Sequence, residues 1–454
     1  MNDPADFKYP RATVTAVVIA NMIGTGVFTS LGFQLLEIRS GFLIVLLWAL
    51  GGLIALCGAM SYAELGAALP RSGGEYNFLS RIFHPAAGFV SGWVSATIGF
   101  AAPTALAAMT FAAYALSSIG AGEQPALEKL LAVLLVLVLT AVHSFRRRQS
   151  GGLQAIFTVL KIGTILLFCG AALVFAGAGQ PVAFTPAPGD AAMLAGGAFA
   201  VSLIYVSYAY SGWNAATYLA NELEDPRRDL PLILFTGTEI VTLLYVALNA
   251  VFLKVAPMDQ LTGQLEVGYV AAVSAFGEES ARYTGLVLAL LLVSTVSAMT
   301  LAGPRVLQVI GEDFPVLRAL ARVNGDGLPY VAIVLQSTVA VIFILTSGVE
   351  SVLVFAGFTL ALNSFATVLG VFVLRIREPD LRRPYRTFGY PITPLLYLVL
   401  MGWTLGYVLY TRPAEGWFGI ALIASGAAMY GLARWSGERR IVDPGDNDAS
   451  SRSQ

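Results

Sequence analysis

Twelve long apolar runs separated by short polar stretches dominate the chain: residues 13–37, 41–67, 87–116, 130–146, 152–176, 192–222, 231–255, 283–306, 329–347, 351–375, 391–411 and 416–435. Each is close to the ~20 residues a helix needs to cross a bilayer. The runs are apolar on every side and lack the two-residue alternation of barrel strands, so the pattern predicts an all-α polytopic membrane protein. The stretch Met1–Arg11 is polar and short. The run after it is too long for a signal-peptide core and no cleavage pattern follows, so it reads as the first span.

Two connections are long enough for short helices. Residues 70–86 join spans two and three, and 257–281 join spans seven and eight with an apolar piece, Val267 to Phe276. They hold the same place in two consecutive sets of five spans, but on opposite sides, as an inverted five-plus-five repeat requires. The first repeat covers about 13–176 and the second about 192–375, with extra helices at about 391–435. Residues 1–436 form one membrane domain, and the polar stretch 437–454 reads as a disordered tail.

Composition agrees: 57% of the 454 residues are apolar and 12% charged, with a mean hydropathy of +0.73. Soluble chains carry roughly twice that charge, so soluble enzymes and disordered scaffolds are excluded. A net charge of -1 implies no nucleic acid or other polyionic partner. Cys57 and Cys169 lie in apolar runs and suggest neither a disulfide framework nor a metal cluster; no cofactor is expected. With the N-terminus placed in the cytoplasm, 21 of the 27 lysines and arginines fall on the cytoplasmic side and five on the far side. This is the positive-inside pattern, and it puts both termini in the cytoplasm. The remaining one, Lys161, lies inside the membrane.

The candidate chemistry sits where helices should fail. Gly24-Thr25-Gly26 lies midway along span one, and two glycines around a β-branched residue weaken a helix. Backbone opened there must line a cavity or meet a ligand. Its freed amides would bind a carboxylate and its freed carbonyls a cation. Close helix packing through small residues is the plain alternative. A second break, at Tyr208-Ala209-Tyr210-Ser211-Gly212-Trp213-Asn214, occupies the matching place in the second repeat. Such paired interruptions point to a transporter site, although the aromatics there also suit an ordinary core.

Lys161 stands about nine residues into span five, roughly 13 Å at helical rise. An ammonium at that depth marks function unless its stem snorkels to the surface. Glu239 in span seven and Glu64 near the inner end of span two are expected to face a hydrated vestibule or pair with arginines. His84 and His143 lie at span ends and are expected at the interface. Ser294, Thr295 and Ser297 in span eight are available to neighbouring helices or to their own backbone.

The motifs resemble a known family. Ile23-Gly24-Thr25-Gly26-Val27-Phe28, Ser61-Tyr62-Ala63-Glu64-Leu65-Gly66, Pro70-Arg71-Ser72-Gly73-Gly74-Glu75-Tyr76, Tyr208 to Asn214 with Asp225-Pro226-Arg227-Arg228, and Arg383-Pro384-Tyr385-Arg386 before Gly389-Tyr390-Pro391 follow the order and spacing of the amino acid–polyamine–organocation superfamily. The chain is similar to bacterial members near its L-amino-acid transporter-like branch. That resemblance implies a LeuT-like fold of ten core helices plus two, with helices one and six broken, in a bacterial inner membrane.

It also implies an amino-acid substrate. The α-carboxylate would sit on the amides of Thr25 and Gly26 beside Gly24, helped by the Thr25 hydroxyl. The α-ammonium would meet carbonyls near Ile23, Tyr208 and Ser211, with Tyr208 as the gate. The Lys161 ammonium would replace a sodium ion, bonding carbonyls near Ala20 and Ile23, with Ser294 and Thr295 close by. The expected activity is alternating-access amino-acid transport without sodium, with proton symport and exchange both open. A polyamine antiporter is the alternative, but it calls for an acid near the breaks, and none lies within a turn of either. A membrane enzyme would need a His, Asp or Glu cluster at depth, and a channel leaves the paired breaks unexplained.

Overall fold

The computed structural model describes residues 8–71, 73–121, 124–145, 151–177, 179–325 and 327–435. The tail 437–454, the start of the chain and Arg146 to Arg148 lie outside the described residues. The described chain is almost entirely helical: α1 (Arg11–Met22), α2 (Gly26–Gln34), α3 (Gly41–Ala68), α4 (Glu75–Ile82), α5 (Pro85–Val94), α6 (Ala101–Ser118), α7 (Pro125–Phe145), α8 (Gly151–Phe175), α9 (Asp190–Leu194), α10 (Gly197–Tyr210), α11 (Pro226–Val255), α12 (Met258–Leu261), α13 (Val267–Asp313), α14 (Tyr330–Thr346), α15 (Val349–Arg377), α16 (Ile392–Thr411) and α17 (Pro413–Trp435). Hydrocarbon offers backbone groups no partners, so a helix that satisfies its own is the stable answer for these apolar runs. Local signals set the starts. Proline opens α5 and α11, where its missing N–H costs nothing. Ser40 caps α3 by accepting from Leu43 N at 3.3 Å.

Among the described residues ten helices are long and apolar enough to cross a membrane, and two shorter apolar ones, Gly197–Tyr210 and Tyr330–Thr346, lie at the sixth and ninth apolar runs. Burial sorts them. The span Arg11–Gln34 has 72% of its apolar window buried inside the protein, whereas Pro125–Ser144 has 11%. The first therefore runs through the centre, and α7 lies on the perimeter, presenting Leu130, Leu134 and Leu137 outward.

Several runs depart from uniform helices. The sixth run does not continue as one span: α10 stops at Tyr210, Gly212 takes a left-handed φ of 100°, and Trp213–Glu222 is a 3-10 helix. The third run changes to a π-helical turn at Ser95–Gly99. The eighth extends well beyond residues 283–306 and is bent at Gly277, whose φ of 78° breaks the helical path. The first long connection holds α4, and the second holds α12 with the start of α13.

The two interrupted spans cross backbone to backbone. A Cβ on Gly26 would stand 2.6 Å from Ala209 Cα, and a Cβ on Gly212 would stand 2.9 Å from Asn21 O. Each break thus uses a glycine to admit the other's main chain. Gly26→Val is expected to destabilise the protein by about 1–3 kcal/mol, the usual range for overpacking against a rigid neighbour. Thermal unfolding in detergent reads this as a lowered midpoint.

Candidate functional site

The geometry begins where α1 ends. Met22 is its last residue, Ile23 leaves the helical region at ψ 85°, and α2 restarts at Gly26. Gly24 N turns back to Met22 O at 2.8 Å. The last carbonyls of α1 and the first amides of α2, at Thr25 and Gly26, lose their intrahelical partners. On the other broken span, Ser211 N closes on Tyr208 O at 2.9 Å before the chain turns at Gly212.

Lys161, 3% exposed, meets the freed end of α1. Its ammonium donates to Ile23 O at 2.7 Å, Ala20 O at 3.3 Å and Thr295 Oγ1 at 3.0 Å. Three donors meet three acceptors, so this lysine does not snorkel. A cation at a helix C-terminus is also favoured by the helix dipole. Ser294 does not join the group. Its hydroxyl turns back to Leu291 O at 2.6 Å, because successive helical residues point about 100° apart and only Thr295 faces Lys161.

Tyr245 was not singled out from sequence, yet it ties the two breaks together. Its hydroxyl donates to Met22 O at 2.5 Å and lies 3.2 Å from Ala209 O. Tyr210 in turn donates to Trp48 O at 2.9 Å. The fold brings Tyr245 to Met22 and Tyr210 to Trp48 across more than 150 positions, which no local pattern signals.

A cavity of about 400 Å³ lies between the breaks. Gly24, Thr25, Gly26, Tyr208, Ser211 and Thr295 line it, and it continues to Arg71, Tyr76 and Arg305. Ile23 and Lys161 stand behind this wall rather than in it. Glu75 also lines it, although it is remote from both breaks in sequence. Its carboxylate accepts from Asn214 Nδ2, two residues past Gly212. An acid therefore does lie beside the second break, brought there by the loop between spans two and three. Tyr76 donates to Asp313 Oδ2 at 2.5 Å. Burial first, and then that hydrogen bond, holds the Tyr76 phenol above its ordinary range, so it stays a donor.

The other polar residues have structural partners. Glu64, 1% exposed, accepts from Arg375 at 2.6 and 2.8 Å and from Thr387 N and Oγ1 at 2.7 Å. It is an arginine partner and not a vestibule acid. His143 is not interfacial. It is 1% exposed and pairs with Ser297 Oγ at 2.8 Å, because the end of α7 packs against α13. His84 caps α5 by accepting from Ala86 N at 3.1 Å. Glu239 is half-buried on α11 and does not line the cavity. Among the described residues no group of three His, Cys, Asp or Glu could hold a metal.

A family model described as "Amino acid permease" matches residues 11–428. The chain is 27% identical over 426 residues to the b(0,+)-type amino acid transporter 1 of Mus musculus, covering 92% of this chain and 85% of that protein. It is 28% identical over 429 residues to the large neutral amino acids transporter small subunit 2 of Oryctolagus cuniculus, covering 92% and 78%. It is 29% identical over 435 residues to the Asc-type amino acid transporter 1 of Mus musculus, covering 92% and 79%.

Tyr245→Phe keeps the ring but strips the donor from the buried Met22 carbonyl. An orphaned buried acceptor costs about 1–3 kcal/mol. The variant is expected to unfold at a lower temperature than the parent, and equal midpoints would show that the Tyr245 hydroxyl does not bind the breaks together.

Proposed function

Because this chain belongs to the amino acid permease family, we propose that it is a secondary active transporter of amino acids that works without sodium. The observation that carries the reading is the Lys161 ammonium, fixed between Ala20 O, Ile23 O and Thr295 Oγ1. A buried cation already joins span five, span one and span eight there. A sodium ion at the same carbonyls would meet its repulsion and find the acceptors occupied. Multi-pass insertion and amino-acid transport follow from the family. The finer assignment is a bacterial-type member in the cytoplasmic membrane with both termini inside. It has twelve spans, a LeuT-like five-plus-five inverted repeat over about 13–375 and two further helices.

In this mechanism the substrate α-carboxylate rests on the amides of Thr25 and Gly26, at the positive end of α2. The α-ammonium takes carbonyls at the second break, near Tyr208 and Ser211, which line the cavity; Ile23 O is held by Lys161 behind the wall. Tyr208 closes over the side chain. Spans one, two, six and seven rock against three, four, eight and nine, exposing the site to one side at a time. Exchange and proton symport both satisfy this scheme. Amine antiport is less well supported, because the cavity's buried acid, Glu75, is already bonded by Tyr62, Asn214 and Tyr218.

A ligand-stabilisation screen over amino acids and amines identifies the substrate, and proteoliposome uptake then tests the coupling. Uptake is expected to proceed equally with sodium or choline outside; dependence on an inward sodium gradient would overturn the assignment. In the same vesicles Lys161→Ala should fold yet lose about tenfold or more in transport or substrate affinity, about 1.4 kcal/mol. Wild-type kinetics in that variant would remove Lys161 from the mechanism.

A further inference from the structure

Glu75 has a geometry that substrate binding does not use. It opens α4 directly after Gly73 and Gly74, whose φ values of 118° and 52° turn the chain out of span two. Its side chain is 2% exposed. The carboxylate accepts from Tyr62 OH at 3.0 Å, Tyr218 OH at 2.5 Å and Asn214 Nδ2. Among the described residues no lysine or arginine forms an ion pair with it. The docking around it is tight: a Cβ on Gly74 would stand 2.8 Å from Tyr218 Cε1. A buried carboxylate held by neutral donors alone is costly, and it is kept here at the wall of the cavity.

The partners lie on different bodies. α4 packs on α5 and α15, whereas the 3-10 segment Trp213–Glu222 packs on α1, α3 and α11. Tyr62 belongs to α3, and Asn214 and Tyr218 belong to the 3-10 segment. Glu75 therefore reaches from the side of spans three and ten to that of spans one, two and seven. All three hydrogen bonds are made while the cavity runs to Arg71 and Arg305.

From this we infer that Glu75 is a positioning residue that couples the two bodies, its carboxylate holding the inner half of span six in the conformation that opens the cavity toward α4. It acts through Asn214, Tyr218 and Tyr62 and not by touching the substrate. The inference rests on the alternating-access reading above. An amide at this position keeps the size of the group but offers one acceptor oxygen and turns an N–H toward a donor. Glu75→Gln therefore breaks at least one arm of the bridge without emptying the space.

The test labels a cysteine in the cavity wall. Ala302, which lines the cavity and is exposed to it, is replaced in an Ala302→Cys variant on a Cys57→Ala/Cys169→Ala background. Labelling by a polar maleimide in detergent needs no substrate. Adding Glu75→Gln is expected to slow labelling about fivefold as the open state is depopulated. In proteoliposomes, exchange of a mixture of the twenty radiolabelled amino acids should lose about tenfold in kcat with KM changed less than about twofold, the signature of a lost positioning contact. Tyr218→Phe alone should give a smaller loss, and the double variant should be no worse than Glu75→Gln, since both cut one bridge.

Unchanged labelling would overturn the inference. So would a rise in KM that matches the loss in kcat, or additive losses in the double variant. If Glu75→Gln does not fold, Tyr218→Phe and Tyr62→Phe carry the same comparisons. A wild-type protein that moves none of the twenty amino acids would sink the transport reading, and the labelling experiment would still decide the bridge.

Discussion

A helix interrupted inside hydrocarbon leaves amides and carbonyls that only the protein or its ligand can satisfy, and most of this structure follows from where those groups go. The carbonyls at the end of α1 go to Lys161 and Tyr245. Ala209 O, one residue before the end of α10, lies against the same Tyr245 hydroxyl. The first amides of α2 face the cavity at Thr25 and Gly26. One side of each break is thus closed by the protein's own donors, whereas Thr25 and Gly26 at the start of α2 line the cavity. A carboxylate suits that end and a cation does not, because the helix dipole favours an anion there.

Away from the breaks, polar contacts fasten the two faces of the molecule differently. On the face away from the cavity mouth, Phe33 of α2 packs on Tyr205 of α10 at 5.9 Å. Tyr205 donates to Glu350, which also meets Arg412 at 2.5 Å. These contacts bind α2 and α10 to each other and to the start of α15. On the mouth side, Glu64 gathers Arg375 and the Thr387 segment into a fixed corner. The Glu64 group is nearly dry and densely bonded, whereas Glu350 and Arg412 are half-exposed, where an ion pair contributes little. The contacts around Glu350 are therefore the weaker of the two polar sets.

Much of this was legible in the sequence because the membrane makes local rules strong. The apolar runs, the glycines at both breaks and an isolated lysine at depth are all one-dimensional signals, and the structure puts Lys161 against the end of the first break. What stayed hidden depends on chain crossings. Tyr245 is an ordinary aromatic in an apolar run until Met22 and Ala209 arrive beside it. Glu75 reads as a loop acid until Tyr218 folds over it. His143 looked interfacial because the end of a span normally is, but α7 and α13 close around it. Ser294 and Thr295 are neighbours in sequence, and helical rotation alone decides which of them meets the ammonium.

On the sodium-independent reading, a tethered lysine has a consequence that a bound ion would not. The stabilisation that a diffusible cation gives rises with its concentration, so a sodium gradient does work as the ion enters on one side and leaves on the other. Lys161 cannot leave. Its contacts with Ala20 and Ile23 strengthen or weaken only as α8 and α13 move relative to α1, and over a full cycle their net contribution is zero. The lysine therefore holds the first break in shape without driving flux. The driving force has to enter through a species that crosses the membrane, either the amino acid itself on both legs of an exchange or a proton carried with it.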